Sequence, residues 1–292
     1  MNIHTIILAA GEGSRMKSKR AKSLQRVGGK TMLEMICKTA ESISAKITLI
    51  VGFDKNSIIN ESKSFDFEIS ICEQTSPIGT GDAVKCGINE VDDADKVLVL
   101  YGDVPLIKKE TLENLVSTDD KSLTILSTKV DNPFGYGRVK KDNDGNVTQI
   151  IEEKDASNAD KKISEIFTGI LCCNKVLLAE ALKEIKNDNA AGEYYLTDIV
   201  SIINKKGFKI KTCIVPNEEV KGANTKKELS ELEETFRKMK SKDLLEMGIT
   251  VSDPNRVDVR GEVSAGTDCN IDVNVILDGV VKLGDNLSLI HI

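Results

Sequence analysis

The chain has 292 residues, of which 40% are hydrophobic and 29% charged, and its formal net charge is −6 at pH 7. This length predicts about two domains, and the composition is typical of globular proteins with a full core. The acidic balance argues against nucleic-acid binding, which requires a basic surface. No run approaches the roughly 18 apolar residues of a membrane span, and the N-terminus lacks a signal-peptide pattern. We therefore expect no membrane contact.

Cysteine and histidine limit the chemistry further. Seven cysteines are scattered without a Cys-x-x-Cys pair, which is typical of reduced thiols and predicts a cytoplasmic protein. The only histidines are His4 and His291. Their scarcity argues against a histidine base and against a histidine metal site.

The first predicted element is a buried strand over residues 3–8, followed by a loop with two glycines and two cations. Gly11 and Gly13 allow the backbone to approach a phosphate, while Arg15 and Lys22 offset its charge. The spacing matches neither a P-loop nor the three-glycine dinucleotide motif, so it indicates a nucleotide loop of a third kind. For the glycines alone, a tight turn between strand and helix remains an equal alternative.

Strands and helices then alternate, which predicts an α/β fold with a mostly parallel sheet covered on both faces. Ligands of such sheets bind beyond the carboxyl ends of the strands. The predicted strands are 46–51, 67–72, 96–101 and 122–130, and the predicted helices are 30–43, 80–90 and 109–116.

The pattern changes at residues 138–152, where two predicted strands surround the turn sequence Asn-Asp-Gly-Asn at 143–146, a strong hairpin signal. The elements predicted after this hairpin are strands 163–172 and 209–215, helices 175–185 and 195–206, and a charged linker helix over 225–247.

Aliphatic residues and one cysteine then recur every six positions, in two registers. This hexapeptide pattern predicts a parallel β-helix, and chance alternation in a short β segment is the alternative. Because a solenoid needs about three or more repeating units, we expect this module of about two coils to be incomplete. The first register is Val259, Ala265, Ile271, Leu277, Leu283 and Leu289, and the second is Val257, Val263, Cys269, Val275, Val281 and Leu287.

Several polar residues are candidates for binding. Asp103 follows the buried strand 96–101, and its carboxylate suits a hard cation such as Mg²⁺. The alternative to a metal ligand is a structural aspartate in a turn or at a helix N-cap. Asn224 is a candidate second oxygen ligand or a turn residue. Gln74, ahead of a Gly-Thr-Gly loop at 79–81, offers an amide to a base edge, but the loop alone is also an acceptable helix start.

Two polar segments, Gly-Tyr-Gly-Arg at 135–138 and Glu-x-Lys-Asp at 152–155, stand at the ends of the predicted hairpin. Binding of sugar hydroxyls and exposure on a solvated surface are equal alternatives for these polar groups.

The chain resembles a known family through several motifs. The pattern Leu-x-x-Gly-x-Gly-x-Arg-Met, with Lys-x-Leu at 22–24, resembles the signature of sugar nucleotidyltransferases. With three further motifs, the chain resembles the bacterial bifunctional N-acetylglucosamine-1-phosphate uridyltransferase / glucosamine-1-phosphate acetyltransferases over nearly its whole length. These motifs are Leu-Tyr-Gly-Asp-Val-Pro-Leu at 100–106, Gly-Tyr-Gly-Arg at 135–138 and Gly-Glu-Tyr-Tyr-Leu-Thr-Asp at 192–198.

The resemblance implies a Rossmann-like nucleotidyltransferase domain over 1–224, a linker helix over 225–248 and the first coils of a left-handed parallel β-helix over 249–292. It implies Mg²⁺-assisted transfer of UMP from UTP to N-acetylglucosamine 1-phosphate, which serves cell-wall precursor synthesis. The implied catalytic residues are Arg15, Lys22 and Asp103, and the implied metal ligands are Asp103 and Asn224. The implied nucleotide contacts are Leu8, Ala10, Gly11, Gly13, Gln74, Gly79, Thr80, Tyr101 and Gly102. The implied sugar contacts are Gly137, Glu152, Phe167 and Tyr194.

The chain departs from the family pattern in three places. Phe167 stands where the family usually has an asparagine that touches the sugar, and the lost hydrogen bond is worth on the order of 1 kcal/mol. Asp82 is unusual beside the Gly-Thr-Gly loop. The family's acetyl-CoA site, catalytic histidine and trimer contacts lie mostly beyond residue 292, so we expect no acetyltransferase activity and doubt the family trimer here.

Two alternatives to this function stay open. One is a sister enzyme that uses another sugar phosphate or nucleotide. The other is a catalytically weak paralogue that binds nucleotide sugars and regulates partners, made plausible by Phe167 and the short hexapeptide module. The joint presence of Arg15, Lys22 and Asp103 argues against a pure binding protein.

Overall fold

The computed structural model describes residues 2–92, 94–117 and 122–290. Within these ranges the chain divides into a first unit, residues 2–24 and 33–221, and a second unit, residues 25–32 and 222–290. Residues 25–32 thus group with the second unit, although the domain expected over 1–224 includes them. The predicted three-part division into domain, linker helix and coils stays a prediction, and its last two residues lie outside the described ranges.

The described residues form sixteen strands and eight α-helices, which alternate mainly between β3 and β7. The strands are β1 (Ile3–Leu8), β2 (Arg26–Val27), β3 (Lys30–Thr31), β4 (Lys46–Val51), β5 (Ser70–Glu73), β6 (Lys96–Tyr101), β7 (Leu123–Lys129), β8 (Arg138–Lys141), β9 (Val147–Ile151), β10 (Glu165–Asn174), β11 (Ile210–Ile214), β12 (Thr250–Val251), β13 (Val257–Ala265), β14 (Asn270–Ile271), β15 (Val275–Leu283) and β16 (Ser288–Leu289). The helices are α1 (Met32–Glu41), α2 (Lys55–Ser62), α3 (Thr80–Ile88), α4 (Lys109–Val116), α5 (Lys175–Glu184), α6 (Asp198–Lys205), α7 (Asn217–Val220) and α8 (Lys226–Glu246).

The first unit is built on one twisted sheet with the strand order β11-β7-β10-β6-β1-β4-β5. Strands β6, β1, β4 and β5 are mutually parallel, and β11 is parallel to β7. Strand β10 runs antiparallel to both β6 and β7, and the predicted hairpin is confirmed as β8 and β9 beside β10. The expectation of an α/β fold with a mostly parallel sheet is confirmed.

Both faces of this sheet are apolar, because successive residues of its central strands face two different buried clusters. On β1, Ile6 and Leu8 face one cluster, which includes residues of α3, α5 and α6. Ile7 of the same strand faces the other cluster, which includes residues of α1 and α4. A strand covered on both faces needs apolar residues at nearly every position, which explains the continuous run at the N-terminus.

The sequence did not reveal every element. Helix α2 was missed, since it carries a single fully buried apolar residue, Ile58, and therefore no amphipathic pattern. It begins after Asp54, whose backbone has φ = 53°. The helix predicted over 30–43 begins later, after β3, and the strand predicted over 67–72 is β5, which is displaced towards Glu73.

The second unit contains the charged helix α8 and parallel strands that fit the start of a β-helix. Each residue of β13 pairs with the residue 18 positions later in β15, as Val257 does with Val275, which matches three hexapeptides per coil. Five of the twelve hexapeptide positions are buried in one apolar cluster, and the other seven are partly buried and pack against it. Helix α8 begins with a capping box between Thr225 and Glu228. None of the helices in the described ranges combines the length and the apolar character needed to cross a bilayer.

Candidate functional site

A cavity of about 300 Å³ lies in the first unit, lined by residues at and beyond the carboxyl ends of its parallel strands. The end of β1, the segment after β6 and the segment after β5 all contribute to its wall. Its volume is at the lower end of the range for small-molecule sites. The predicted site residues in the wall are Leu8, Ala10, Gly11, Lys22, Gln74, Gly79, Thr80, Tyr101 and Asp103.

Opposite charges meet in this wall. Lys22 Nζ lies 2.6 Å from Asp103 Oδ2, and both side chains are mostly buried. Asp103 lies in the short turn after β6, where the N–H of the preceding Gly102 donates to the carbonyl oxygen of Leu8. A cation and an oxygen anion therefore stand side by side at the edge of the sheet.

The loop after β1 positions Lys22. Gly13 has φ = 61°, and a Cβ built there would lie only 2.9 Å from the Cβ of Lys22, so a glycine is needed for this approach. The Ala21 N–H donates to Asp54 Oδ2 at 3.0 Å, which holds the segment immediately before Lys22. Arg15, by contrast, is exposed on a single 3₁₀ turn, and the described residues that form the cavity wall do not include it.

The Gly-Thr-Gly loop packs against the backbone of Tyr194. Gly79 has φ = 123°, and a Cβ there would lie 2.4 Å from the Tyr194 carbonyl oxygen. The same carbonyl accepts from the Gly81 N–H at 2.8 Å, and the Tyr194 N–H donates to the carbonyl oxygen of Ile78. Tyr194 thus supports the start of α3 through its main chain.

Gln74 is buried in the cavity wall immediately after β5. Its side-chain Nε2 donates to Asp82 Oδ2 at 2.7 Å and to the carbonyl oxygen of Gly79 at 3.2 Å. The unusual Asp82 therefore contacts a residue predicted to bind the base.

Tyr101 closes another part of the wall. Its hydroxyl is hydrogen-bonded to Thr80, and burial raises the pKa of Tyr101 above its ordinary value, so that it stays neutral. The ring fits over Gly169, where a Cβ would lie 2.5 Å from a ring carbon and where φ is 90°. Gly169 belongs to the irregular part of β10, between Phe167 and Leu171, where the pairing with β7 shifts.

In the part of the chain that the structure describes, the residues that line the cavity do not include the predicted sugar residues, although Tyr194 and Glu152 neighbour the wall. Glu152 Oε1 accepts from Thr197 Oγ1 at 3.0 Å, and a Cβ at Gly137 would lie 3.6 Å from the same oxygen. Burial raises the pKa of Glu152, and the nearby carboxylates of Asp198, Asp155 and Glu193 raise it further. The surroundings of Glu152 are therefore acidic.

Phe167 is only 6% exposed and belongs to the apolar cluster on one face of the sheet. Its backbone N–H donates to the carbonyl oxygen of Gly137 at 2.8 Å. The side chain at this position is thus a packing residue, while its main chain fixes the segment that carries Gly137.

Five residues of the wall were missed by the sequence analysis: Ala9, Ser23, Pro77, Ala83 and Glu193. Ser23 is notable because its hydroxyl oxygen is buried and has no hydrogen-bond partner within the described ranges. Its place directly after Lys22 in the signature is a signal that could have identified it. Glu193 lies in the family motif at 192–198, but nothing in a single sequence places this motif beside the loop after β1.

Metal binding at this wall depends on few protein ligands. In the described part of the chain, no three His, Cys, Asp or Glu residues form a group able to hold a metal ion. The oxygen of Asp103 nevertheless fits Mg²⁺, which is commonly held by one or two protein oxygens together with substrate phosphates. Asn224 belongs to the second unit, where its backbone N–H donates to Glu228 Oε2 at 2.6 Å.

Residues 5–188 match the model of the MobA-like NTP transferase domain family, and this match spans most of the chain. The fold agrees with this class: a putative glucose-1-phosphate thymidylyltransferase from Bacillus anthracis, solved in complex with a sucrose, superimposes with a TM-score of 0.63 at 21% identity and covers 79% of this chain and 94% of its own. The chain belongs to the family of MobA-like NTP transferase domains.

Closer relatives carry a more particular description. The chain is 43% identical to the bifunctional protein GlmU of Psychrobacter sp. (strain PRwf-1) over 98% of its own length. Identity is 41% to the protein of that description from Ruthia magnifica subsp. Calyptogena magnifica and 40% to the one from Neisseria meningitidis serogroup C, each over 98% of this chain. The resemblance deduced from the motifs is thus confirmed. The chain spans 63% of the length of each of these curated relatives.

Proposed function

We propose that the protein transfers the uridylyl group of UTP to N-acetylglucosamine 1-phosphate, giving UDP-N-acetylglucosamine and pyrophosphate. The observation that carries this proposal is the pairing of Lys22 with Asp103 in the wall of a cavity at the carboxyl edge of the sheet. The family of NTP transferase domains and the similarity to bifunctional GlmU proteins support the broader activity, nucleotidyl transfer to a sugar 1-phosphate.

The reaction needs no general base. A phosphate monoester has its second pKa near 6, so at pH 7 most of the sugar phosphate is a dianion. One of its oxygens attacks the α-phosphorus of UTP and forms the new P–O bond. The bond from that phosphorus to the bridging oxygen breaks, and pyrophosphate leaves with the electron pair. Catalysis therefore depends on positioning and on charge stabilisation, which suits a chain with two histidines.

The side chains of the wall divide this task. Lys22 offsets the negative charge of the triphosphate, and Gly11 allows the backbone of the first loop to come close to it. Arg15, exposed on the same loop, reaches the leaving pyrophosphate when nucleotide is bound. Asp103 would supply an oxygen ligand to Mg²⁺, and the ligand role that the resemblance implies for Asn224 stays a prediction. The cation would neutralise phosphate charge of the substrates.

The nucleotide and sugar ends of the proposed site have different support. Most of the residues proposed for the nucleotide lie together in the cavity wall. For the sugar, Glu152 and Gly137 neighbour each other, while Tyr194 contributes its main chain and Phe167 is a packing residue. The polar contact that an asparagine would offer at position 167 is lost. This observation favours, as a second candidate, transfer to a different sugar 1-phosphate.

A panel assay tests the proposal. Purified protein is incubated with UTP, Mg²⁺ and one of several sugar 1-phosphates, and pyrophosphate release is followed. We expect N-acetylglucosamine 1-phosphate to give the highest kcat/KM. A higher value with another sugar would support the second candidate. Absence of turnover with every sugar would contradict both and would favour a nucleotide-sugar-binding paralogue.

A further inference from the structure

The side-chain amide of Gln74 is held between two oxygen atoms of the first unit. Asp82 Oδ2 lies 2.7 Å from Gln74 Nε2, and the carbonyl oxygen of Gly79 lies 3.2 Å from it. Both contacts come from the loop and first turn of α3, which begins at Thr80.

The chemistry of these two partners fixes the orientation of the amide. An ionised carboxylate and a backbone carbonyl oxygen both accept hydrogen bonds and donate none. The group of Gln74 that faces them must therefore be the NH₂, whereas the reverse orientation would bring two oxygen acceptors together. Since an amide NH₂ has two N–H donors, the two contacts use both of them.

The atom of Gln74 that remains for a ligand is the acceptor Oε1. Gln74 is 6% exposed and contributes to the cavity wall, so the part of its side chain that is not covered by protein faces the cavity. The partners that set its orientation are themselves held firmly. Gly79 and Gly81 pack against the backbone of Tyr194, and Asp82 lies in the first turn of a helix, where negative charge is favoured.

An acceptor at this position distinguishes nucleobases. Uracil and thymine carry an N–H donor at N3, whereas N3 of cytosine is an acceptor. We propose that Asp82 is a positioning residue that fixes the Gln74 amide with Oε1 towards the cavity, so that the site selects nucleotides whose base carries an imide N–H. This inference rests on the proposed function for the presence of a nucleotide in the cavity.

Removal of the carboxylate weakens this orientation. The torsion that rotates a glutamine amide is broad and nearly two-fold, so without Asp82 the amide can turn and offer an N–H to cytosine. A site built to pair one hydrogen-bonding pattern rejects the opposite pattern strongly. Asp82→Ala is therefore expected to lower the preference for UTP over CTP by about tenfold or more.

The dissociation constants of UTP, dTTP and CTP, measured by titration calorimetry with Mg²⁺, test this proposal without requiring turnover. Wild type, Asp82→Ala, Gln74→Ala and the double variant are compared. The matched control is Asp66→Ala, which removes an exposed carboxylate of the same unit. Melting temperatures are recorded for each variant.

We expect Asp82→Ala to weaken the binding of UTP and of dTTP to the same extent, relative to the binding of CTP, because uracil and thymine share the imide N–H. In the Gln74→Ala background, Asp82→Ala should leave the UTP-to-CTP ratio unchanged, since Asp82 acts through Gln74. Asp66→Ala should retain the wild-type ratio.

A wild-type ratio in Asp82→Ala would overturn the inference, because the Gly79 carbonyl alone would then hold the amide. The inference would also be overturned if Asp82→Ala changed the UTP-to-CTP ratio equally in the Gln74→Ala background. Failure of the wild-type protein to bind any of the three nucleotides would overturn it as well. Wild-type binding with the predicted ratios but without pyrophosphate release would contradict the proposed function alone.

Discussion

The ammonium group of Lys22 lies 2.6 Å from the carboxylate of Asp103 at the carboxyl edge of the central sheet. The two residues come from different segments, the loop after β1 and the turn after β6, and each is mostly buried. Under the proposed function, Lys22 would bind a substrate phosphate directly beside the oxygen that Asp103 would offer to a metal. The pair would then serve both charge neutralisation and positioning, the two requirements of nucleotidyl transfer.

Asp103→Asn tests the anionic half of this pair. The amide keeps the shape of the side chain but removes the charge that favours a divalent cation. We expect kcat for pyrophosphate release to fall by about 100-fold or more, with a higher Mg²⁺ concentration needed for half-maximal rate. The exposed Asp66→Asn is the matched control. Near-wild-type turnover in Asp103→Asn would contradict the role assigned to Asp103.

Arg15→Ala separates catalysis from folding. Arg15 is exposed on the first loop, so its removal should change the free energy of unfolding by less than about 0.5 kcal/mol. Turnover should fall at least tenfold if Arg15 stabilises the charge on pyrophosphate. Arg20→Ala, at another exposed position of the loop, controls for a general change in charge. Equal losses in melting temperature and turnover would rule out a catalytic role.

Phe167→Asn tests whether this position packs the core. The ring is buried in an apolar cluster, so replacing it with a small polar side chain should lower the free energy of unfolding by about 3 kcal/mol, measured with urea. Phe134→Asn is the matched control because Phe134 is 74% exposed. A loss in Phe134→Asn as large as in Phe167→Asn would refute this assignment.

The raised pKa of Glu152 leads us to expect a particular pH dependence of the free energy of unfolding. Burial raises its pKa in the folded protein above the ordinary value of 4.5, so folding favours the protonated form. This contribution is complete below pH 4.5 and is lost as the pH rises through the folded pKa. Relative to Glu152→Gln, which does not titrate, the wild-type protein should therefore lose free energy of unfolding as the pH rises above 4.5.

Glu153 provides a control of opposite sign. Its hydrogen bond from Arg138 lowers the pKa of Glu153, so its contribution is present at neutral pH and lost on acidification. Urea unfolding of wild type, Glu152→Gln and Glu153→Gln at a series of pH values measures both effects. Parallel curves for wild type and Glu152→Gln would show that the pKa of Glu152 is not raised.

The elements with strong periodicity were predictable from the sequence. The run of apolar residues in β1 and β6 identified strands covered on both faces. The six-residue repeat identified parallel strands that fit the start of a β-helix, with aliphatic positions in or against one cluster. Helix α2 was not predictable, because an element with few buried apolar residues leaves no periodic signal.

For the site, motifs that follow a strand were informative, whereas partners far apart in sequence were not. Lys22 and Asp103 follow β1 and β6, and parallel strands bring their carboxyl ends to one edge. The contribution of Glu193 to the wall depends on tertiary packing that a single sequence does not record. The contact between Asp82 and Gln74 depends on the path of the loop between them, so Asp82 was singled out only as an unusual residue.

The most direct test of the account follows the fate of the α-phosphate. UTP labelled with ³²P at the α-position is incubated with N-acetylglucosamine 1-phosphate, Mg²⁺ and the protein, and the products are separated by chromatography. Attack at the α-phosphorus predicts that the label appears in a UDP-sugar, in step with release of unlabelled pyrophosphate. Label that remains in UTP, or that appears in UMP without a sugar product, would contradict nucleotidyl transfer to a sugar phosphate.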